Sequence, residues 1–213
     1  MKKRVLVGCE YSGTVRDAFL ALGFDALSCD LLPTDVPGPH YQGDVFDIIG
    51  DGWDLAVFHP PCTYLCNSGA KHLYKEKIDS EGNRYRSQER DPARWAAMEE
   101  AADFYRRLWE CPVPRVAIEN PIMLGHARAL IGIGKSTQII QPWMFGHGET
   151  KATGLHLRGL PNLVPTNIVD GREAKVHRMP PGPDRWKLRS TTYKGIAEAM
   201  ADQWGTVLQE ETK

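Results

Sequence analysis

"RVLVGCEYSGTVRDAFLALGFDALSCD" occupies residues 4–30 and decides the fold. Its first part, "RVLVGC" (4–9), is a short apolar run ending at a glycine and a cysteine, the composition of a buried strand. "TVRDAFLAL" then repeats apolar residues at helical spacing and stops at Gly23, a residue suited to the left-handed turn that closes a helix. "DALSCD" (25–30) reads as a second strand. Strand, helix and strand in succession form a βαβ unit, whose two strands are parallel and whose connection is right-handed. The alternation continues through a strand at "DLAVFH" (54–59), a helix at "PARWAAMEEAADFYRRLW" (92–109) and a strand at "RVAIEN" (115–120). The expected fold class is therefore α/β, with a doubly wound, mostly parallel sheet. From Lys135 onward the pattern changes. "TQIIQPWMFG" and "ATGLHLRGL", joined around Gly146 to Gly148, read as an antiparallel pair at one edge, and "GIAEAMADQWGTVLQ" (195–209) as a closing helix.

The chain of 213 residues is long enough to bury a core as one domain without disulfides or metals. Lys and Arg number 26 and Asp and Glu 27, for a net charge of −1, so a polyanionic partner must meet a local basic patch rather than a global field. The five cysteines are an odd number, and neither a signal-peptide pattern nor a long apolar span accompanies them. Reduced thiols in a cytoplasmic protein are expected, without secretion or membrane insertion. No internal repeat or low-complexity segment is present.

In open α/β sheets the ligand site lies beyond the carboxyl ends of the strands, at the switch point. Four polar stretches fall there: "CEYSG" after the first strand, Asp30 after the second, "HPPC" after Phe58 and "ENP" after Ile118. The first is a glycine-containing turn that lets a cofactor approach the backbone and helix amides, or a plain strand-to-helix turn. Asp30 stands where a ribose-binding acid sits in nucleotide sites, or is a solvated loop acid. Asp44 in "GDV" is placed to accept from an adenine amino group or to cap a turn.

Two prolines before Cys62 fix the backbone and hold the next side chain, which suits a nucleophile; the bland alternative is a small buried hydrophobe. His59, Cys62, Cys66 and His72 also form H-x2-C-x3-C-x5-H, a set of zinc-ligand residue types. The spacing is loose, no second cluster accompanies it and the zinc-deaminase signature is missing on both halves, so no metal is expected. Glu119 closes a buried strand, where desolvation would raise its pKa towards neutrality; alternatively it caps a helix or pairs with a cation.

Pro60, Pro61 and Cys62 on one strand end, with Glu119, Asn120 and Pro121 on the next, resemble the Pro-Cys and Glu-Asn-Val motifs of the DNA cytosine-5 methyltransferase family, in a compact, phage-type form. The resemblance spans most of the chain. "CEYSGTVRDAF" is similar to the family's S-adenosylmethionine loop, Phe-x-Gly-x-Gly-Gly, with Cys9 at the aromatic position, Gly13 as the retained glycine, and Glu10, Tyr11 and Ser12 between them. The resemblance implies a Rossmann-like class I methyltransferase fold and S-adenosylmethionine as cofactor. Asp30 would take the ribose hydroxyls, and Asp44 and Val45 would lie near the adenine. Pro60 and Gly195 would complete that site, the latter in "YKGIAEAM", which resembles the closing Gly-Asn motif with Ile196 in place of asparagine. It implies further that the Cys62 thiolate adds to C6 of cytosine, that Glu119 donates to N3 and the exocyclic amine, and that C5 then takes the methyl group.

The family's Gln-x-Arg-x-Arg motif is replaced here by Glu149, Lys151 and Thr153, which keeps one cation and loses the bidentate arginine geometry. In place of a target-recognition domain stands only a short basic segment, 165–191. Within it Arg172, Lys175, Arg178, Arg185, Lys187 and Arg189 face Glu173 and Asp184, with Trp186 available to stack on a base. Residues 70–94 read as a mobile catalytic loop with Tyr74, Arg84 and Arg86 as nucleic-acid contacts. DNA read with little sequence discrimination is the expected partner, in a bacterial or phage-infected cell, with room for a partner protein that supplies recognition. Two rivals stand beside this reading: related C5 chemistry on a nucleotide, RNA or with a modified donor, and a non-catalytic nucleic-acid-binding module on the same fold.

Overall fold

β1 (Arg4–Gly8) forms because Val5, Leu6 and Val7 are apolar in succession, and each is fully buried, as a strand covered on both faces requires. The computed structural model describes residues 2–183 and 185–210, so Asp184 of the basic segment lies outside the described residues. After β1 come α1 (Thr14–Ala21), β2 (Asp25–Asp30), β3 (His40–Gln42) and β4 (Leu55–Phe58). A ribbon of β5 (Tyr74–Ile78) and β6 (Arg84–Arg90) leads into α2 (Pro92–Trp109), followed by β7 (Val116–Pro121), α3 (Gly125–Ile131), β8 (Gln138–Ile140) and β9 (Thr153–Arg158). The chain ends with the short helices α4 (Lys175–Arg178) and α5 (Arg185–Ser190) and the long α6 (Lys194–Glu210).

The large sheet has the order β3-β2-β1-β4-β7-β9-β8. The first five strands are mutually parallel, and β9 pairs antiparallel with both β7 and β8. The mostly parallel, doubly wound sheet with an antiparallel pair at one edge thus stands as expected from the alternation of elements. The chain reverses direction beside β1, which has β2 on one side and β4 on the other, and there a ligand crevice opens.

Strand residues alternate between two cores. Leu6, Ala56, Phe58, Val116 and Ile118 pack with Trp95, Met98, Tyr105 and Ala127 of α2 and α3. Val5, Val7, Leu55, Val57 and Ala117 pack with Val15, Phe19, Met200 and Trp204 of α1 and α6. Trp204 is fully buried and donates its indole N–H to the Pro161 carbonyl (3.1 Å), so its polar atom is satisfied.

Three features were not read from the sequence. β3 is a three-residue edge strand of half-exposed residues, too short to show a period. Residues 74–90, expected as part of a polar loop, form an antiparallel ribbon turning at Asp79 to Asn83, with Gly82 at φ 85°. Its register sets a cation in every pair, opposite Tyr74, Glu76, Tyr85 or Ile78, and leaves no continuous apolar face. The basic segment 165–191 carries α4 and α5 and is tied to the body at Val176, which is buried.

Arg16 holds the β2–β3 connection from beneath. Its guanidinium is fully buried and donates to Asp17 Oδ1 (2.8 Å), Ser28 Oγ (3.1 Å), Thr34 Oγ1 (3.2 Å) and the Pro37 carbonyl (3.4 Å). Gly13 (φ 73°) and the Arg16 side chain pack so closely that a Cβ at Gly13 would lie 2.4 Å from Nη2. Replacing this hub by an apolar chain leaves several buried acceptors unpaired. Arg16→Met is therefore expected to lower unfolding stability by roughly 2–4 kcal/mol in urea denaturation, whereas a loss below about 0.5 kcal/mol would show that water replaces the guanidinium at no cost.

Candidate active site

A cleft of about 350 Å³ lies at the switch point, bounded by Cys9, Cys29, Asp30, Leu31, Asp44, Val45 and Pro61 on the strand side. Ala97, Glu100, Ala101 and Phe104 of α2 form the facing wall. That wall was not found in the sequence. Its signal is the helical spacing 97, 100, 101, 104, one face beside the buried stripe of Trp95, Met98 and Ala102.

The residues expected around a cofactor divide into two groups. Cys9, Asp30, Asp44 and Val45 line the cleft. Cys9 sits at φ 58°, the one non-glycine residue with positive φ among the described residues, a conformation costing of order 1–2 kcal/mol that the surrounding sheet must impose. Burial, with the Asp30 carboxylate beside it, pushes the Cys9 thiol up, so it remains protonated at neutral pH. The Asp30 carboxylate accepts from the Leu32 amide (2.9 Å), and Asp44 accepts from the Phe46 amide (3.0 Å) as the cap of a 3₁₀ turn.

Glu10, Tyr11, Ser12, Gly13, Pro60 and Gly195 are not among the cleft's lining residues. Glu10 is buried and accepts from the amides of Val15 (2.7 Å) and Arg16 (3.2 Å) and the Ser12 hydroxyl (3.2 Å). The α1 amides expected to face a ligand are thus taken by the chain's own carboxylate. Tyr11 bonds Ser190 Oγ (2.9 Å) and packs on Trp186 (ring centroids 5.8 Å), which draws α5 over the β1–α1 turn. Gly195 donates its amide to His147 Nε2 (3.1 Å), and a Cβ there would lie 1.9 Å from the Phe145 carbonyl oxygen. Its glycine is required by backbone approach.

Next to the cleft, β4 ends beside β7, which continues to Pro121 against β9. Phe58 pairs with Ile118, so the following residues, His59 and Glu119, stand together. His59 Nδ1 and Glu119 Oε2 are 2.8 Å apart with both side chains largely buried. Burial alone would raise Glu119, but the hydrogen bond from His59 and the Lys151 charge hold its carboxyl below the usual range. Burial likewise works to lower His59, and the Glu119 partner outweighs it, leaving the imidazole above its ordinary value. The raised carboxyl expected from desolvation is therefore reversed by a partner that sequence reasoning had considered only as a zinc ligand. His59 Nε2 and both polar atoms of the Asn120 carboxamide are buried without partners. Among the described residues no three His, Cys, Asp or Glu side chains gather around a common point, so the spacing from His59 to His72 does not become a metal cage.

Cys62 follows on the loop after β4, partly buried, and all five cysteines are free thiols. Its carbonyl accepts from the amides of Leu65 and Cys66 (both 3.1 Å), a single helical turn that stacks Cys66 beside it. The hydrogen bond between the two thiols pushes Cys62 up, aided by burial and the charges of Cys66 and Glu119. Cys66 is drawn down by Cys62, by the Ser68 hydroxyl at 2.9 Å and by the Ser68 and Gly69 amides. Cys66 is thus the more acidic thiol of the pair. The loop is stapled to the exit of β7 by Asn67 N–H to Ile122 O (2.9 Å) and Leu124 N–H to Leu65 O (2.8 Å).

Thr153 on β9 pairs with Pro121, and its hydroxyl donates to the Lys151 carbonyl (3.1 Å). Lys151 thereby stands near Glu119, with its Nζ 5.8 Å from the Tyr193 ring centroid. Glu149 accepts from Tyr193 Oη (2.7 Å) and pairs with Lys175 (3.2 Å), which fastens the basic segment to the residue before α6.

Most of the expected nucleic-acid contacts are engaged within the chain. Arg84 and Arg86 both pair with Glu76, and Tyr74 stands opposite Arg90 in the ribbon. Lys187 pairs with Asp35 (2.7 Å), Arg172 covers the Trp143 ring at 4.0 Å and Arg185 donates to the Met179 carbonyl (2.9 Å). Arg178 is exposed, Arg189 half-buried and Trp186 about half exposed, at 55%.

No protein-family model matches the chain, and no curated protein matches it. Solved structures similar to it include a protein described as a DNA modification methyltransferase encoded within an E. coli prophage, at 15% identity and TM-score 0.48, covering 79% of this chain and 52% of that one. Entamoeba histolytica methyltransferase EhMeth is similar at 15% identity and TM-score 0.47, over 80% of this chain and 58% of its own. A triple mutant of Spodoptera frugiperda DNMT2 is similar at 10% identity and TM-score 0.39, over 80% and 57%. The chain spans little more than half the length of these proteins.

The depressed Glu119 contributes stability at pH values above its ordinary 4.5, lost as pH falls through its folded value. The raised His59 contributes stability below its ordinary 6.5, lost as pH rises through its folded value. A double-mutant cycle with His59→Gln and Glu119→Gln should therefore show a coupling of roughly 2 kcal/mol that is largest between about pH 4.5 and 6.5 and declines on both sides. A coupling independent of pH would mean a neutral hydrogen bond.

Proposed function

We propose that this protein is an S-adenosylmethionine-dependent methyltransferase that alkylates C5 of cytosine in DNA through a covalent bond between Cys62 and C6. The observation that carries this reading is the adjacency of the Cys62 loop and the buried His59–Glu119 pair on neighbouring strand ends, beside the cleft that begins at Cys9 and Pro61. The cleft fits the nucleoside part of the cofactor: Val45, Pro61 and Phe104 offer apolar walls, and Asp30 and Asp44 supply acceptors. The α1 amides do not serve the other end, since Glu10 holds them. When bound, the cofactor supplies an electrophilic methyl group.

Cytosine C5 is a weak nucleophile until a thiolate adds at C6 and makes the ring an enamine. In this reading the Cys62 proton passes to the Cys66 sulfur as the C6–S bond forms. Glu119 rests ionised, so its donation to N3 needs a proton, and His59 at 2.8 Å is the group placed to deliver it. N3 is then protonated as the ring accepts electrons, which removes the charge that would otherwise oppose addition. Once C5 carries the methyl group, its proton leaves to water, Cys62 departs as a thiolate that takes its proton back from Cys66, and N3 returns its proton to Glu119 and His59, which restores the ring. Lys151 takes an electrostatic part through Glu119, and Thr153 holds the Lys151 backbone.

A second reading is favoured by the ion pairs that occupy Arg84, Arg86, Lys175 and Lys187: the electrostatic grip on duplex DNA is weaker than the cation count implies, which suits a single strand or a pyrimidine nucleotide. Trapping separates the two. Incubated with S-adenosylmethionine and DNA containing 5-fluorocytosine, the protein should form an adduct that survives denaturation, because fluorine at C5 blocks the final elimination. Mass spectrometry should place it on Cys62, Cys62→Ser should abolish it, and Cys66→Ala should slow it about tenfold. An adduct with 5-fluorocytosine in a single strand or a nucleotide but not in duplex DNA would establish the second reading, and none with any of the three would remove both.

A further inference from the structure

We propose that Arg94 is a positioning residue that holds the Cys62 loop in its reactive shape from the first turn of α2, an inference that rests on reading Cys62 as the nucleophile. By sequence Arg94 is one more cation of the 70–94 stretch. In the fold it turns inward. Its Nη2 donates to the carbonyl of Thr63, the residue directly after Cys62, at 2.7 Å. Its guanidinium lies 4.3 Å from the centroid of the Tyr64 ring. Gly69, at the far end of the same loop, is buried, and a Cβ there would come within 2.5 Å of Nη2 and 3.2 Å of the Thr63 carbonyl oxygen. The loop thus closes around the guanidinium at three points, and a side chain at the last of them would displace Nη2.

The anchor is stiff. The Arg94 amide donates to the Asp91 side chain that caps α2 (3.0 Å), and the next residue, Trp95, is buried and donates its indole N–H to the Leu73 carbonyl (3.0 Å). Pro60 and Pro61 restrict the chain before Cys62, and Arg94 restricts it after. The planar guanidinium can bond a carbonyl in its plane while offering a face to an aromatic ring, which an ammonium group cannot do. Arg94 Nε is buried without a partner, so the side chain gives up a hydrogen bond to make these contacts.

The test uses the full chain with S-adenosylmethionine and 5-fluorocytosine DNA. Arg94→Ala should slow Cys62 adduct formation at saturating DNA by about tenfold or more, while the DNA concentration for half-maximal rate moves less than about twofold. Arg94→Lys should recover only part of the rate. Gly69→Ala keeps the arginine and pushes it out of the loop, so it should reproduce the loss. A raised half-saturating concentration with an unchanged saturated rate would make Arg94 a DNA contact and overturn the proposal. A loss in proportion to the unfolded fraction in a melting curve would overturn it too. Should the unaltered protein form no adduct, the reaction reading fails, and iodoacetamide alkylation of Cys62 mapped by mass decides on Arg94 alone. A freed loop exposes the thiol, so both Arg94→Ala and Gly69→Ala should react about fivefold faster or more if Arg94 holds the loop, and at the unaltered rate if it does not.

Discussion

Phe58 and Ile118 lie side by side in neighbouring parallel strands, and the site depends on that register. β4 is buried throughout and β7 is buried up to Ile118, so charge first enters where β4 stops, and the register sets His59, just past β4, beside Glu119, which stays paired with β9. A carboxylate so far from water is tolerable only with a partner. His59 is that partner, and with Lys151 it reverses the effect of desolvation on Glu119. One slip in register would leave a buried carboxylate facing apolar neighbours. The strand pairing and the ionisation of the site are therefore a single fact seen at two scales.

The cleft side rests on a different set of constraints. β1 hands over to α1 through Cys9, whose left-handed backbone turns the chain, and through Glu10, whose carboxylate satisfies the helix amides. Arg16, one turn further on, reaches back beneath β2 and holds the connection that carries residues 31 to 39. These three residues fix where Asp30 and Asp44 stand, and of the three only Cys9 lines the cleft itself. Strain at Cys9 is maintained by the packed strands on either side, as expected where backbone geometry serves a site.

Ion pairing sets the electrostatic character of the surface. The cations of the β5–β6 ribbon meet Glu76 and Glu89, and Lys175 and Lys187 of the basic segment meet Glu149 and Asp35. Exposed pairs of this kind add little stability, but they occupy charge that a phosphate would otherwise claim.

The sequence by itself determined the elements that rest on local pattern: the βαβ unit of residues 4–30, the long helix from Pro92 to Trp109, and the strands that end before His59 and near Glu119. Periodicity, a closing glycine and apolar runs are short-range properties, and burial on the sheet agrees with them. It also marked Cys62 and Glu119 as residues at strand ends. Tertiary structure alone decided what those residues touch. His59 is 60 positions from Glu119, Arg94 is 31 from Thr63 and Lys187 is 152 from Asp35. The direction of the Glu119 shift, the inward turn of Arg94, the use of Glu10 as a cap and the ribbon in place of a loop all depend on such contacts. No local pattern encodes them, because the free energy of a charge or a buried hydrogen bond depends on which groups the fold brings within a few ångströms, whatever their separation along the chain.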